Sequence, residues 1–119
     1  MSKVLVVDDL PTELELICRT LQNVGLEVIR ANDGEEAIGR INEEDADLII
    51  LDVVMPRMNG FEVIRELRES EKTKNIPIIL CTQKDTEIDK TWGMELGADA
   101  YLTKPFDPQQ LVNTVKRFL

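Results

Sequence analysis

Leu48-Ile49-Ile50-Leu51-Asp52-Val53-Val54-Met55-Pro56 is the stretch that decides the fold. Four large apolar residues run directly into one carboxylate, apolar residues resume, and Pro56 ends the run. Acidic residues precede it and a turn follows, so the run reads as a strand buried on both faces, the kind found in the middle of a parallel sheet. Asp52 then emerges at the carboxyl end of a central strand, where open α/β sheets keep their ligands. A charged group beside so much apolar surface is costly unless something compensates it.

The chain upstream and downstream repeats one pattern. Lys3 to Val7 is a second buried strand and ends in Asp8-Asp9. Pro11-Thr12-Glu13 opens a helix whose Leu14, Ile17, Cys18 and Leu21 share one face, and Gly25 ends it. Glu27 to Arg30 predicts a less apolar edge strand, and Glu35 to Asn42 a short helix. After Arg57-Met58-Asn59-Gly60, the residues Phe61, Ile64 and Leu67 recur at helical spacing. Ile76 to Leu80 predicts a fourth strand. A helix is predicted over 85–96, where Ile88, Trp92 and Leu96 recur every four residues, with Gly97 as its cap. Ala100 to Thr103 is a short fifth strand, and Asp107-Pro108 opens a last helix lined by Leu111, Val115, Phe118 and Leu119.

Five strands alternating with five helices predict an α/β fold with a parallel sheet covered on both faces. Right-handed crossovers reach both faces only if the chain reverses its direction of travel once. The expected architecture is one domain over 1–119: a doubly wound, flavodoxin-like sheet in the order 2-1-3-4-5. Strands 1 and 3 are then neighbours, and Asp8, Asp9 and Asp52 gather at their carboxyl ends.

Composition narrows the chemistry. The 119 residues carry a net charge of -9 and no histidine. That balance argues against a nucleic-acid partner and against an anionic membrane surface. Without histidine, Ser-His and Cys-His nucleophile chemistry is excluded. Cys18 and Cys81 form no CxxC pair and read as reduced, buried thiols, which suits a cytoplasmic protein. Nothing before the first strand reads as a signal peptide, and no apolar run reaches the ~20 residues of a membrane span.

Three carboxylates at one sheet edge repel: two charges ~4 Å apart cost roughly 4 kcal/mol at an effective dielectric of about 20. A raised pKa or a cation must relieve them. Hard oxygen ligands with room for water suit Mg²⁺. Helix capping accounts for one of Asp8 and Asp9 but not for Asp52. Thr82 ends the fourth strand and Lys104, followed by Pro105, ends the fifth. Lys104 reads either as a solvated lysine or as the cation that pairs with Asp52 and then with a phosphoryl oxygen. Thr82 reads either as a β-branched strand residue or as a hydroxyl donor to a bound anion.

Asp8-Asp9, Asp52 with Met55-Pro56, Gly60, Thr82, Tyr101 and Lys104-Pro105 together resemble the motif set of the response-regulator receiver domain, over the whole chain. The resemblance implies a phosphoryl-transfer switch of two-component signalling. It makes Asp52 the phospho-acceptor, Asp8, Asp9, Asp52 and the backbone carbonyl of Val54 the Mg²⁺ ligands, Lys104 and Thr82 the phosphate-sensing pair, and Tyr101 the aromatic switch. It also implies a cis Lys104-Pro105 bond that aims Lys104 inward. A histidine kinase is the implied phosphodonor. The implied output is docking of a downstream target protein on the face formed by helix 4, strand 5 and helix 5, by a monomer able to dimerise once phosphorylated. With no room for an output module, the domain is expected to act alone. Thr91-Trp92-Gly93-Met94 is similar to receivers of twitching and surface-motility chemosensory systems, which points to chemotaxis or motility control. Trp92 reads either as packed on the domain or as part of the docking face.

Three positions depart from the family pattern. Val54 offers the attacking water no polar side chain, Gln83 follows Thr82 where a smaller residue is common, and Lys84 can reach the site mouth; these three are expected to set the phosphate lifetime. Other readings fare worse. A dehalogenase-type phosphatase needs an acid at the position of Val54, an FMN protein needs a hydroxyl- and Gly-rich loop where Asp8-Asp9 stands, and GxGxxG is missing. A phosphorelay carrier and a phosphorylation-independent pseudo-receiver remain as alternatives, although a pseudo-receiver would lack an acid or Lys104.

Overall fold

A computed structural model describes residues 2–119. In chain order its elements are β1 (Lys3–Val7), α1 (Pro11–Gln22), β2 (Glu27–Ala31), α2 (Gly34–Glu43), β3 (Leu48–Leu51), α3 (Gly60–Glu69), β4 (Ile78–Thr82), α4 (Glu87–Leu96), β5 (Ala100–Thr103) and α5 (Pro108–Phe118). The five strands form one parallel sheet in the order β2-β1-β3-β4-β5. This is the doubly wound α/β architecture expected from the sequence.

The strand alternation divides the interior in two, because successive side chains point to opposite faces. Val4, Val6, Leu48, Ile50, Ile79 and Cys81 turn to one face and pack with α1 and α5 through Leu14, Ile17, Leu21, Leu111 and Val115. Leu5, Val7, Ile49, Leu51, Ile78 and Leu80 turn to the other and pack with Ala37, Ile41, Val63, Ile64 and Leu67 of α2 and α3. Both cysteines are free and buried. Among the described residues no helix is long and apolar enough to cross a membrane.

At the amino-terminal end of β4 and β5 one guanidinium gathers the carbonyls of two connections. Arg68 donates to the carbonyls of Gly97, Lys74 and Ile76 at 2.8, 3.1 and 2.7 Å and reaches Asp99 Oδ2 at 3.1 Å. Asp99 Oδ2 also accepts from Ile78 N at 2.8 Å, so Arg68 ties the α3–β4 and α4–β5 connections to the sheet.

Some boundaries differ from the sequence reading. α4 begins at Glu87 rather than at 85, because the Thr86 hydroxyl caps the helix by accepting from Asp89 N. β4 starts at Ile78, after Pro77, and not at Ile76. The apolar recurrence Ile88–Trp92–Leu96 is not the buried face of α4. Ile88 is 81% and Trp92 44% exposed, and the buried residue of the helix is Gly93. A Cβ at 93 would stand 2.7 Å from Leu80 Cδ1, so the helix lies too close to β4 for a side chain there. Leu119 follows α5 and is half exposed, whereas Leu111 and Val115 are buried.

Candidate functional site

The sheet gathers the site as its register dictates. β1 and β3 pair Val7 with Leu51, so the residues that follow, Asp8 and Asp52, leave the sheet side by side. Asp8 N donates to Ala31 O and Asp52 N to Val7 O, which carries the parallel pairing one step past the strands. Asp8 and Asp52 are 1% and 5% exposed. β4 and β5 pair Thr82 with Thr103, and Lys104 N donates to Thr82 O at 2.8 Å. The Lys104-Pro105 peptide is cis, as the motif implies.

Lys104 reaches across the sheet edge. Its ammonium lies 2.5 Å from Asp8 Oδ2, 2.7 Å from Glu13 Oε2 and 3.1 Å from Asp52 Oδ2, with the side chain 4% exposed. An ammonium has three donors, and each has a carboxylate here. No buried side-chain polar atom among the described residues lacks a partner. Burial works to neutralise Lys104, but the hydrogen bonds to Asp8 and Glu13 and the charge of Asp52 outweigh it and hold the amine charged above the ordinary lysine range. Asp8 shows the opposite balance: burial lifts its carboxyl above the ordinary aspartate value although the Lys104 and Leu10 hydrogen bonds pull it down. Lys104 is thus the compensating cation that the burial of Asp52 requires.

The loop behind Asp52 is shaped by two contacts. Val54 N donates to Asp52 Oδ1 at 3.2 Å, which fixes the carboxylate while the Val54 side chain turns outward, 54% exposed. Gly60 N donates to Val53 O, and a Cβ at 60 would collide with the Asp52 carbonyl oxygen. Asn59 caps α3 reciprocally with Glu62, so the first turn of that helix closes against the end of β3.

A cleft of about 140 Å³ opens over Asp52. Asp9, Glu13, Val54, Thr82 and Gln83 are on its walls. Thr82 is fully buried, and its Oγ1 accepts from Lys84 N at 3.4 Å. Tyr101 packs its ring on Gly93 and donates its hydroxyl to Lys84 O at 2.8 Å. The Thr82 and Tyr101 side chains therefore both hold Lys84 of the β4–α4 connection, one through its N–H and the other through its carbonyl. Burial, with the charges of Asp89, Asp52 and Asp85, pushes the Tyr101 phenol up to about 12.

The expected residues are not equally placed. Asp8, Asp52, Lys104 and Thr82 converge. Asp9 lines the cleft, but the carboxylate oxygens that lie within 4.8 Å of one another belong to Asp8, Glu13 and Asp52. Gln83 faces the cleft, whereas Lys84 is turned toward α4, with Nζ 3.9 Å from Asp89 Oδ1. In the sequence Glu13 reads only as a helix-opening residue. The signal for it is its place in the first turn of α1, five residues after Asp8, where a carboxylate can reach back over the sheet edge. The oxygen-only donor set, already centred on a cation, fits a hard divalent ion such as Mg²⁺. Away from the site, Glu87, Ile88, Thr91, Trp92 and Glu95 border an open groove on the outer side of α4.

A parallel 2-1-3-4-5 sheet carries a buried Asp–Lys–Asp cluster at its carboxyl edge, with a buried threonine ending β4 and a tyrosine within β5. The chain belongs to the response regulator receiver domain family, whose profile matches residues 4–116. It is 40% identical over 119 residues to the protein PilH of Pseudomonas aeruginosa, covering 100% of this chain and 98% of PilH. It is 45% identical over 118 residues to the alkaline phosphatase synthesis transcriptional regulatory protein PhoP of Bacillus subtilis, spanning 99% of this chain but 48% of PhoP. The solved structure of the chemotaxis protein CheY4 of Vibrio cholerae superposes with a TM-score of 0.95 at 39% identity, covering 100% of this chain and 99% of CheY4.

Proposed function

We propose that this chain is a response regulator of two-component signalling that accepts a phosphoryl group on Asp52 from the phosphohistidine of a histidine kinase. The observation that carries the reading is the buried Lys104 ammonium seated 3.1 Å from Oδ2 of Asp52, a carboxylate that lines an open cleft. The Asp52 carboxylate oxygen attacks phosphorus, the phosphorus–nitrogen bond to the donor imidazole breaks, and the imidazole leaves with its electron pair. The product is an aspartyl phosphate. Asp8 and Asp52, with Asp9 and the Val54 carbonyl, would hold Mg²⁺, which when bound offsets negative charge on the phosphoryl oxygens.

This chain's own residues do the rest. Lys104 exchanges its carboxylate partner for a phosphoryl oxygen, a charge-assisted pair in a buried setting. The Val54 N–H keeps Asp52 aimed into the cleft. The Thr82 hydroxyl turns from Lys84 N to the new anion, and the connection over 83–86 follows it. Tyr101 then gives up Lys84 O and rotates into the space beside β5, a shift between two packings. The face of α4, β5 and α5 changes shape and docks a downstream protein. Val54 and Gln83 on the cleft wall, with Lys84 beside them, set the rate at which water removes the phosphoryl group. The likeness to CheY4 supports a role in chemotaxis or motility control. The buried, reduced thiols of Cys18 and Cys81 support a cytoplasmic location.

The test is incubation with acetyl phosphate with and without Mg²⁺, read by intact mass and by the fluorescence of the single tryptophan, Trp92. A gain of one phosphoryl group that requires metal, and that Asp52→Asn abolishes, is the expected result. Equal incorporation by Asp52→Asn overturns the assignment of the acceptor. A hydrolysis rate unchanged by exchange of Val54, Gln83 and Lys84 overturns their role.

A further inference from the structure

Glu13 is the one carboxylate of the central cluster that the receiver motif does not include. Its Oε2 lies 2.7 Å from the Lys104 ammonium, a shorter contact than the 3.1 Å from that ammonium to Asp52. Its side chain is 27% exposed and lines the cleft with Asp52, while Asp8 is buried behind them. Among the described residues, Glu13 has no other cation partner. The three carboxylate oxygens lie within 4.8 Å of one another, and the ammonium sits among them. A Mg²⁺ ion binds oxygen at about 2.0–2.1 Å. The ammonium already holds one oxygen of each of Asp8 and Asp52, so lysine and ion compete for the same two carboxylates.

We infer that Glu13 is a positioning residue: it holds Lys104 against Asp8 and Asp52 in the metal-free site and so sets how strongly a divalent ion has to compete for those carboxylates. The inference rests on the phosphoryl-acceptor reading above and adds a partner for its lysine. In the metal-free chain Lys104 occupies Asp52 Oδ2. Divalent ion binding frees that oxygen and releases Lys104 from all three carboxylates toward the cleft, where the incoming phosphoryl group arrives. Glu13 sets how firmly the metal-free state is held. Since its contact with Lys104 belongs to the metal-free state, deleting it must favour the metal-bound state only while Lys104 is present.

The decisive measurement is a double-mutant cycle on Mg²⁺ affinity, read by titration calorimetry in the unmodified chain, Glu13→Gln, Lys104→Met and the double variant. Loss of the Glu13 carboxylate also removes general attraction for the ion, and that part is common to both backgrounds. The effect of Glu13→Gln is therefore expected to be more favourable to binding, by roughly five-fold, with Lys104 present than in the Lys104→Met background, the size of a part-exposed ion pair. An equal factor in both backgrounds overturns the inference and leaves Asp52 as acceptor untouched. No Mg²⁺ binding by the unmodified chain would instead remove the phosphoryl-acceptor reading, and this inference with it. Should Lys104→Met fail to fold, the Lys104 ε-methylene resonance decides the matter. Glu13→Gln should move it in the metal-free protein and leave it unmoved at saturating Mg²⁺; a shift persisting at saturation overturns the inference.

Discussion

Gly60→Ala places one methyl group against the backbone that carries Asp52. The added Cβ would stand 2.8 Å from Val53 Cα and collide with the Asp52 carbonyl oxygen. Neither neighbour is the end of a flexible side chain, so the strain has no cheap exit. Restoring an ordinary carbon–carbon separation of about 3.5 Å moves that backbone by roughly 0.7 Å. Overpacking of this kind costs about 1–3 kcal/mol. Over 119 residues, at about 2.1 cal/mol/K each, a loss of about 2 kcal/mol lowers Tm by roughly 8 °C. The displacement also falls on Asp52, whose aim into the cleft depends on the adjoining loop, and a misplacement approaching ~1 Å can cost on the order of 100-fold in rate. Gly39→Ala is the matched control. Gly39 lies within α2 and a Cβ there meets nothing within 4 Å, so the same substitution should stabilise by about 0.5–1 kcal/mol. Thermal melts and acetyl phosphate labelling followed by intact mass read both consequences. If Gly60→Ala melted with the unmodified chain and were labelled at the same rate, the claim that this close approach positions Asp52 would be refuted.

Other residues make separate demands. Asp8 binds its proton more tightly folded than unfolded, so the stability this group contributes is fully present below the ordinary aspartate pKa of about 3.9 and is lost as pH rises through the folded value. Asp8→Asn should therefore raise Tm at neutral pH and flatten the decline in Tm above about pH 4, and an unchanged pH profile would count against burial as a net cost to the ionised Asp8. Tyr101 is the single tyrosine, so its absorbance at high pH reports one group. Its midpoint should lie near 12 in the folded chain and near the ordinary value of about 10 in urea, and coincident midpoints would show that the ring is not held as described. Arg68→Met strands the carbonyls of Ile76 and Gly97, and at about 1.5–3 kcal/mol for each bond to a charged donor it should lower Tm by roughly 12 °C or more without slowing labelling of Asp52.

The sheet was legible because its strands are buried on both faces and therefore carry unbroken aliphatic runs, as Leu48 to Leu51 do. The strand order followed from handedness. The site was legible as far as it lies at strand ends, since the register of β1 with β3 and of β4 with β5 brings Asp8, Asp52, Thr82 and Lys104 together. What escaped depends on how helices are set down. Glu13 joins the cluster only because α1 leaves the sheet edge at an angle that returns its first turn over Asp8. Neighbouring residues of an extended segment diverge, so Asp8 enters the cluster and Asp9 stands on the cleft wall. In α4 the apolar period marked the outward side, because the helix rests on a glycine and periodicity has no means of registering a missing side chain.

That resting place has a consequence for the order in which the molecule loosens. α4 is fastened at its ends, by the Thr86 cap and by the Arg68 bonds to Gly97, while at its middle the one residue pressed fully into the sheet is Gly93. Lifting the helix uncovers the flank of Leu96, one side of Tyr101 and the tip of Leu80, so the hydrophobic penalty for doing so is small. The other four helices each drive at least two large aliphatic side chains or an alanine–isoleucine pair into the interior. Amide hydrogens of α4 are therefore the ones to exchange with solvent while β1, β3 and β4 stay closed. On the proposed switch, the helix on the docking face is thus also the one whose detachment leaves the rest of the domain intact.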